Sequence, residues 1–334
     1  LAGGDPIGAL QALHDADRDG DGDDIELCRA GSWAALGDLA SAADALSRSS
    51  TPALAVWASI GAGVHAATTP TTSQSGSARP ADALARAVMA WASPGPPCVP
   101  ADLIDDLRRA ALGFRAEPSA VHWPVSPDEV CALIVCRRGD VAQAERMISM
   151  AVAERPGGFR LHARHRLLAA FLEARRGLLD AAQSTIDELA RVPLPPADRF
   201  LLAAVRCAVA VRDAESSDVV DAAATASSAL ASIGTSAYDV ELVAEVSAAL
   251  HRSRRAVDVD PLDAQDLIAE RLGVERLRGD VAWARLRSAM AGDDLDRVRE
   301  AAHSLVVATE AWPPARDTAD LFGTDVPVDV HRVS

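Results

Sequence analysis

Residues 137–156 read RRGDVAQAERMISMAVAERP, and residues 175–194 read RRGLLDAAQSTIDELARVPL. Laid over one another, they put Gly139 on Gly177, a spacing of 38 residues, with Ala144 on Ala182 and Ile148 on Ile186. A third stretch at 216–234, SSDVVDAAATASSALASIG, brings Ala222 and Ala229 into the slots of Ala144 and Ala151. A weaker fourth at 291–313, AGDDLDRVREAAHSLVVATEAWP, places Val298 and Leu305 there. Each copy is a helical pattern punctuated by Gly-Asp, Pro or Ser/Thr clusters. Working outward, similar patterns predict helices over 6–14, 25–48, 52–67, 80–92, 100–116, 127–137, 140–155, 161–176 and 178–191. Further helices are predicted over 196–213, 217–232, 236–256, 261–291 (with a break near Gly273 or Gly279) and 294–311. Ser/Thr- and Pro-rich runs at 68–79 and 93–100 read as linkers. The chain thus divides into N-terminal helices with an acidic loop (1–67), a linker (68–79), connecting helices (80–124), the repeats (125–312) and a tail (313–334).

The repeats resemble the tetratricopeptide family, whose helix-turn-helix unit keeps small residues at repeat positions 8, 20 and 27 and Pro at 32. Ala132, Ala144, Ala151 and Pro156 match those positions in one copy, with Ile148 at the bulky position 24. Ala170 and Ala182 match in the next, where Leu189 and Leu194 replace Ala and Pro. Ala210, Ala222 and Ala229 match in the third, with Gly234 in place of Pro. No Trp or Tyr stands at family positions 4 and 11, and the period drifts from 38 to 40 between copies. The resemblance implies an all-α fold, an antiparallel helix-pair solenoid whose first helices line a concave groove. A generic helical bundle is the alternative.

Composition agrees with helices. Hydrophobic residues make up 49% of the 334 residues, yet aromatics only 4%, so the apolar mass is Ala, Leu and Val. Ala has the highest helix propensity, and its small side chain lets helices approach closely. All 33 basic residues are Arg, and Lys and Asn are absent, as expected of a GC-rich bacterial genome. A net charge of −15 argues against direct nucleic-acid binding, which needs a clustered positive field. The five Cys, at 28, 98, 131, 136 and 207, are scattered and form no CxxC, which fits a reducing cytoplasm. No apolar run reaches the roughly 18 residues a membrane span needs. Starting at Leu1 and not Met, the sequence reads as a piece of a longer chain or a trimmed one.

Two constellations carry candidate chemistry. Asp15-Ala-Asp17-Arg-Asp19-Gly20-Asp21-Gly-Asp23-Asp24-Ile25-Glu26 matches the EF-hand loop pattern D-x-D-x-D-G-x5-E. Asp15, Asp17 and Asp19 would offer side-chain oxygens to Ca²⁺, Asp21 its carbonyl and Asp23 a water bridge, and Glu26 would close the site. Gly22 stands where such loops carry an aliphatic residue, and no second loop is present. The same letters also make an acidic, solvated turn between helices. The second constellation is basic: Arg160, His162, Arg164, His165, Arg166, Arg175 and Arg176. By analogy with the concave groove of tetratricopeptide arrays, Arg160, Arg164 and Arg199 are its candidate lining, with Arg164 and Arg199 able to clamp a carboxylate or phosphate. A solvated face balancing 48 acidic residues explains the same Arg. No Walker loop, HExxH, GxSxG or dinucleotide fingerprint is present.

These readings make the chain a non-catalytic binding module, with no cofactor unless the 15–26 loop holds calcium. In composition and degenerate repeat it resembles the superhelical region of large LuxR-type, ATP-dependent bacterial transcription regulators. That resemblance implies inducer binding by the array, in the cytoplasm, with a small molecule or a protein as partner. The alternatives are a stand-alone adaptor binding another protein's tail, and a calcium-responsive helical protein.

Overall fold

The structure is a computed structural model that describes residues 5–16, 22–49, 51–64, 79–92, 101–116, 123–137, 140–156, 158–213, 218–253, 260–292 and 294–310. Among these it is all-α, with sixteen helices and no strand. The N-terminal part holds α1 (Pro6–Ala16), α2 (Gly22–Leu36), α3 (Leu39–Ser47), α4 (Leu54–Gly61), α5 (Pro80–Ala92) and α6 (Ala101–Ala116). Then come α7 (Pro127–Arg137), α8 (Val141–Glu154), α9 (Gly158–Arg175), α10 (Leu179–Leu189), α11 (Pro196–Arg212) and α12 (Val219–Ile233). The chain continues through α13 (Val240–Arg252), α14 (Pro261–Leu272), α15 (Glu275–Met290) and α16 (Leu295–Glu310).

Gly-Asp and Asp-Pro punctuation acts as the chemistry of helix ends requires. Gly37 takes a left-handed φ of +88°, and Asp38 caps α3 by accepting from the Ser41 N–H at 2.9 Å. Asp140 does the same for α8 through Gln143, and Asp260 for α14 through Leu262, each at 2.9 Å. Each such cap is worth about 1 kcal/mol. The single helix predicted over 25–48 therefore breaks into α2 and α3 at Gly37-Asp38. The one over 261–291 breaks at Gly273, while Gly279 continues inside α15. Of the predicted linker 68–79, all but Arg79 lies outside the described residues, as do 93–100 and the tail from Pro313.

Every helix packs against its neighbours in the chain, and α9, α11, α13 and α15 also pack on one another in series. In the first two copies the aligned positions are core positions, with Ala144, Ile148, Ala151, Ala182 and Ile186 fully buried, whereas Ala229, Val298 and Leu305 of the later copies are partly buried. Small side chains here let adjacent helices approach closely. The pair α13/α14 lies between the third and fourth copies that the sequence alignment picks out. Its α13 is buried along its length from Val240 to Leu250.

The N-terminal helices fold back onto this array, α2 against α11, and the segment between α12 and α13 anchors them. Tyr238 stacks between Trp57 of α4 and Trp91 of α5, with ring centroids 6.3 Å and 5.3 Å away. Its hydroxyl donates to the Trp57 carbonyl at 3.1 Å, and the Ala237 N–H donates to the Gly61 carbonyl at 2.9 Å. From the end of α7, Arg137 donates to the Ala237 carbonyl at 2.6 Å while its guanidinium lies over the Trp91 ring. Aromatic pairs contribute about 0.5–1.5 kcal/mol each beyond their buried area, so this stack is a substantial clasp. At Gly37 a Cβ would lie 2.6 Å from the Cβ of Ile233, so only glycine admits this approach of the α2–α3 turn to α12. No helix among the described residues is long and apolar enough to cross a membrane.

Candidate functional site: an acidic cleft

Helix N-termini favour carboxylates, because the first-turn N–H groups are unpaired and the helix dipole is positive there. In α7, Pro127 occupies the first helical position, Ser126 caps through its hydroxyl to the Asp128 N–H at 3.1 Å, and Glu129 follows. In α11, Pro196 opens the helix and Asp198 lies in its first turn. In α13, Asp239 stands at the cap position and accepts from the Ser236 N–H at 3.1 Å. The first turns of α7 and α11 are brought together through Arg164, in the first half of α9.

There a single guanidinium from α9 joins two of the three carboxylates. Arg164 Nε donates to Glu129 Oε1 at 2.6 Å, and Nη1 donates to Asp198 Oδ1 at 2.9 Å. Glu129, Asp198 and Asp239 are all buried. Burial pushes the Glu129 and Asp239 carboxyls above the usual carboxylate range, with the Arg164 charge opposing it. Burial also acts to lower the Arg164 pKa, but Glu129 and Asp198 outweigh it and the net shift is upward. Arg137 adds positive charge near Asp239; its Nη2 donates to the Ala237 carbonyl and its Nη1 lies 3.8 Å from Asp280, while Nε and Nη1 make no hydrogen bond. The Oε2 atom of Glu129 is buried with no hydrogen-bond partner.

These groups line a cleft with a cavity volume of about 80 Å³, open in part to solvent. Its apolar wall includes Val130, Leu133, Leu161, Phe200, Leu201 and Leu242 from the array. Ala34, Ala35, Leu39 and Trp57 close it from the N-terminal helices, and Tyr238 lies at its edge with Asp239.

The sequence-predicted residues distribute unevenly around this cleft. Arg164 lines it and is already paired with carboxylates. Arg199 is exposed on α11 and is not among the lining residues. Arg160 falls on α9 with its side chain outside the described residues. Of the acidic loop, Asp15 is exposed at the end of α1, whereas Asp17, Asp19, Asp21 and the Asp23 side chain lie outside the described residues. Glu26 is buried on α2, its Oε1 bonded to Arg29 and its Oε2 to Arg48 at 3.2 Å. Closing a calcium loop with Glu26 would require breaking both ion pairs.

Glu129, Asp198 and Asp239 are absent from the sequence-based candidates. The signal for the first two was Pro followed within two residues by an acid, in Pro127-Asp128-Glu129 and Pro196-Ala197-Asp198, which marks helix starts; no Pro stands within two residues before Asp239. Nothing local says that these starts converge.

Two other polar groups lie outside the cleft lining. Glu241 is buried between Arg175 and Arg287, and Glu245 takes both nitrogens of Arg212 at 2.7 and 2.8 Å, so α13 is tied to α9, α11 and α15. Ser288, His251 and Asp260 have the residue types of a hydrolytic triad. However, the Ser288 hydroxyl donates to Ser247 Oγ at 2.7 Å, Ser247 donates to Asp260 at 3.0 Å, and Ser247 and Ser288 are buried. The Cys131, Cys136 and Cys207 thiols are buried and pushed up to about 12, 11 and 12, far from thiolate reactivity.

No protein-family model matches the chain, nor does any curated protein or solved structure.

Proposed function

We propose that this chain is a non-catalytic helical-repeat module that binds a small ligand in the acidic cleft. The observation that carries this reading is a partly open, apolar-walled cleft with three buried carboxyls at one end, one of which, Glu129, keeps an unpartnered oxygen. Burying such charge costs several kcal/mol per ion unless something pairs it. A space of about 80 Å³ is several times what one water needs, so it admits a small molecule. Closure of the groove by α2, α3 and α4 favours a small ligand over an extended protein tail. The serial packing of α9, α11, α13 and α15 supports the tetratricopeptide-like solenoid reading. The Arg- and Ala-rich composition and the degenerate 38–40-residue repeat are what support assignment to the sensor region of a LuxR-type bacterial transcription regulator.

The test is thermal unfolding against a panel of amines, sugars, nucleotides, organic acids and Ca²⁺, on the native chain and on Ala35→Trp, which fills the cleft from α2. A ligand binding only the folded state adds about 2.7 kcal/mol at a hundredfold excess over Kd. The expected result is stabilisation of the native chain by one chemical class and its loss in Ala35→Trp. Equal shifts in both proteins would place binding elsewhere.

A further inference from the structure

We infer that the ligand of this cleft is an organic cation, a protonated amine carried on an apolar body. The inference rests on reading the cleft as a ligand site and specifies what that site selects. Three buried carboxylates, Glu129, Asp198 and Asp239, face the one lining guanidinium, Arg164. Arg164 spends its Nε and Nη1 donors on Glu129 Oε1 and Asp198 Oδ1, at 2.6 and 2.9 Å. Independently of the carboxylate count, Glu129 Oε2 is left buried and unpartnered, on a residue only 4% exposed. An acceptor in that state asks for a donor, and a charged donor best, because hydrogen bonds between ions are about twice as strong as neutral ones.

The geometry also says what kind of cation. Among the described residues no three metal-ligating side chains are grouped closely enough to hold a metal ion. The carboxylates are instead spread around the mouths of three helices, with an aliphatic and aromatic wall beside them. An ammonium group presents three divergent donors at the end of a chain, which suits separated acceptors. The attached hydrocarbon meets Leu133, Phe200 and Leu201, where burying each methylene adds to the affinity. An anionic ligand would meet the Glu129 and Asp239 carboxyls, while the lining guanidinium of Arg164 already gives Nε and Nη1 to two acids and keeps Nη2 alone. The carboxylate or phosphate clamp expected of Arg164 is therefore replaced by the opposite preference, with Arg164 acting to position the two acids it bonds.

The experiment measures calorimetric binding of phenethylammonium and cadaverine to the full chain, beside the neutral isosteres phenylethanol and pentanediol and the anion phenylpropionate. Glu129→Gln keeps the shape and an oxygen for Arg164 while removing the charge. Asp239→Asn does the same at the second acid, and circular dichroism reports whether each variant folds. The expected result is saturable binding of an ammonium probe, at least about tenfold tighter than its neutral isostere. Glu129→Gln or Asp239→Asn then weakens it about tenfold with the helical spectrum unchanged. If the neutral or anionic probe binds as well or better, and Ala35→Trp abolishes that binding, the amine preference is overturned while the cleft remains a ligand site. If no probe of any charge binds, and the broader panel gives no shift that Ala35→Trp removes, the cleft reading falls and the inference with it.

Discussion

His165 lies inside α9 with no exposed surface, and neither ring nitrogen has a hydrogen-bond partner. Burial lowers its pKa to about 3, and the neighbouring charges of Arg164, His162 and Arg115 push the same way. A histidine whose folded pKa is depressed binds fewer protons folded than unfolded. Its contribution to stability is therefore full above about 6.5 and is lost progressively as pH falls toward about 3. Within that window the slope is about 1.4 kcal/mol per pH unit. His165→Leu, which fills the same space without a titratable group, is expected to flatten the acid limb of stability by about that slope. Urea midpoints for both proteins between pH 7 and pH 4 would check this, and parallel curves would refute it. At this scale the sequence was half legible. Arg164 could be picked out as a groove residue because of where it falls in its repeat. Its partners Glu129 and Asp198 lie 35 and 34 positions away, and sequence spacing alone does not pair them.

Among the elements, α13 is tied by buried charge to three others. Glu241 is 2% exposed and receives Arg175 from α9 and Arg287 from α15. Burial acts to raise its carboxyl, but Arg287 and Arg175 outweigh that and hold it down to about 2. Removing one member of such a group strands the others in the core. Glu241→Ala is thus expected to cost about 3–5 kcal/mol, readable as a lower denaturation midpoint. Glu241→Gln, which keeps two hydrogen-bonding atoms, should lose less, and an equal loss would argue against the ion pairs as the cause. Helices as such were largely readable, because Ala and Leu periodicity and Gly-Asp or Pro punctuation are local signals. The split at Gly37-Asp38 carried the same Gly-Asp letters as Gly139-Asp140. It escaped because the pattern on both sides remained helical.

Taken whole, the molecule has one continuous core from Leu27 to Ala284 and a small satellite core between α15 and α16. The satellite rests on Leu286, Ala289 and Ala301, while Leu295 and Val307 of α16 remain 71% and 55% exposed. Local stability follows buried apolar contact. Amides of α16 are therefore expected to exchange with deuterium well before those of α9, α11 and α13, and uniform protection through α16 would contradict this. The all-α class was legible from composition and period. The return of α2–α5 onto the array was not, since Trp57, Trp91 and Tyr238 carry no local mark of meeting one another.

That meeting has a further consequence. The chain's one tyrosine is held between two indoles drawn from separate helices, in a fixed chiral stack. Rings so arranged share their electronic transitions. Their near-ultraviolet circular dichroism thus belongs to the assembled trio and to none of the three alone. The protein carries its own optical gauge of whether its front half is docked on its back half, readable without attaching any dye.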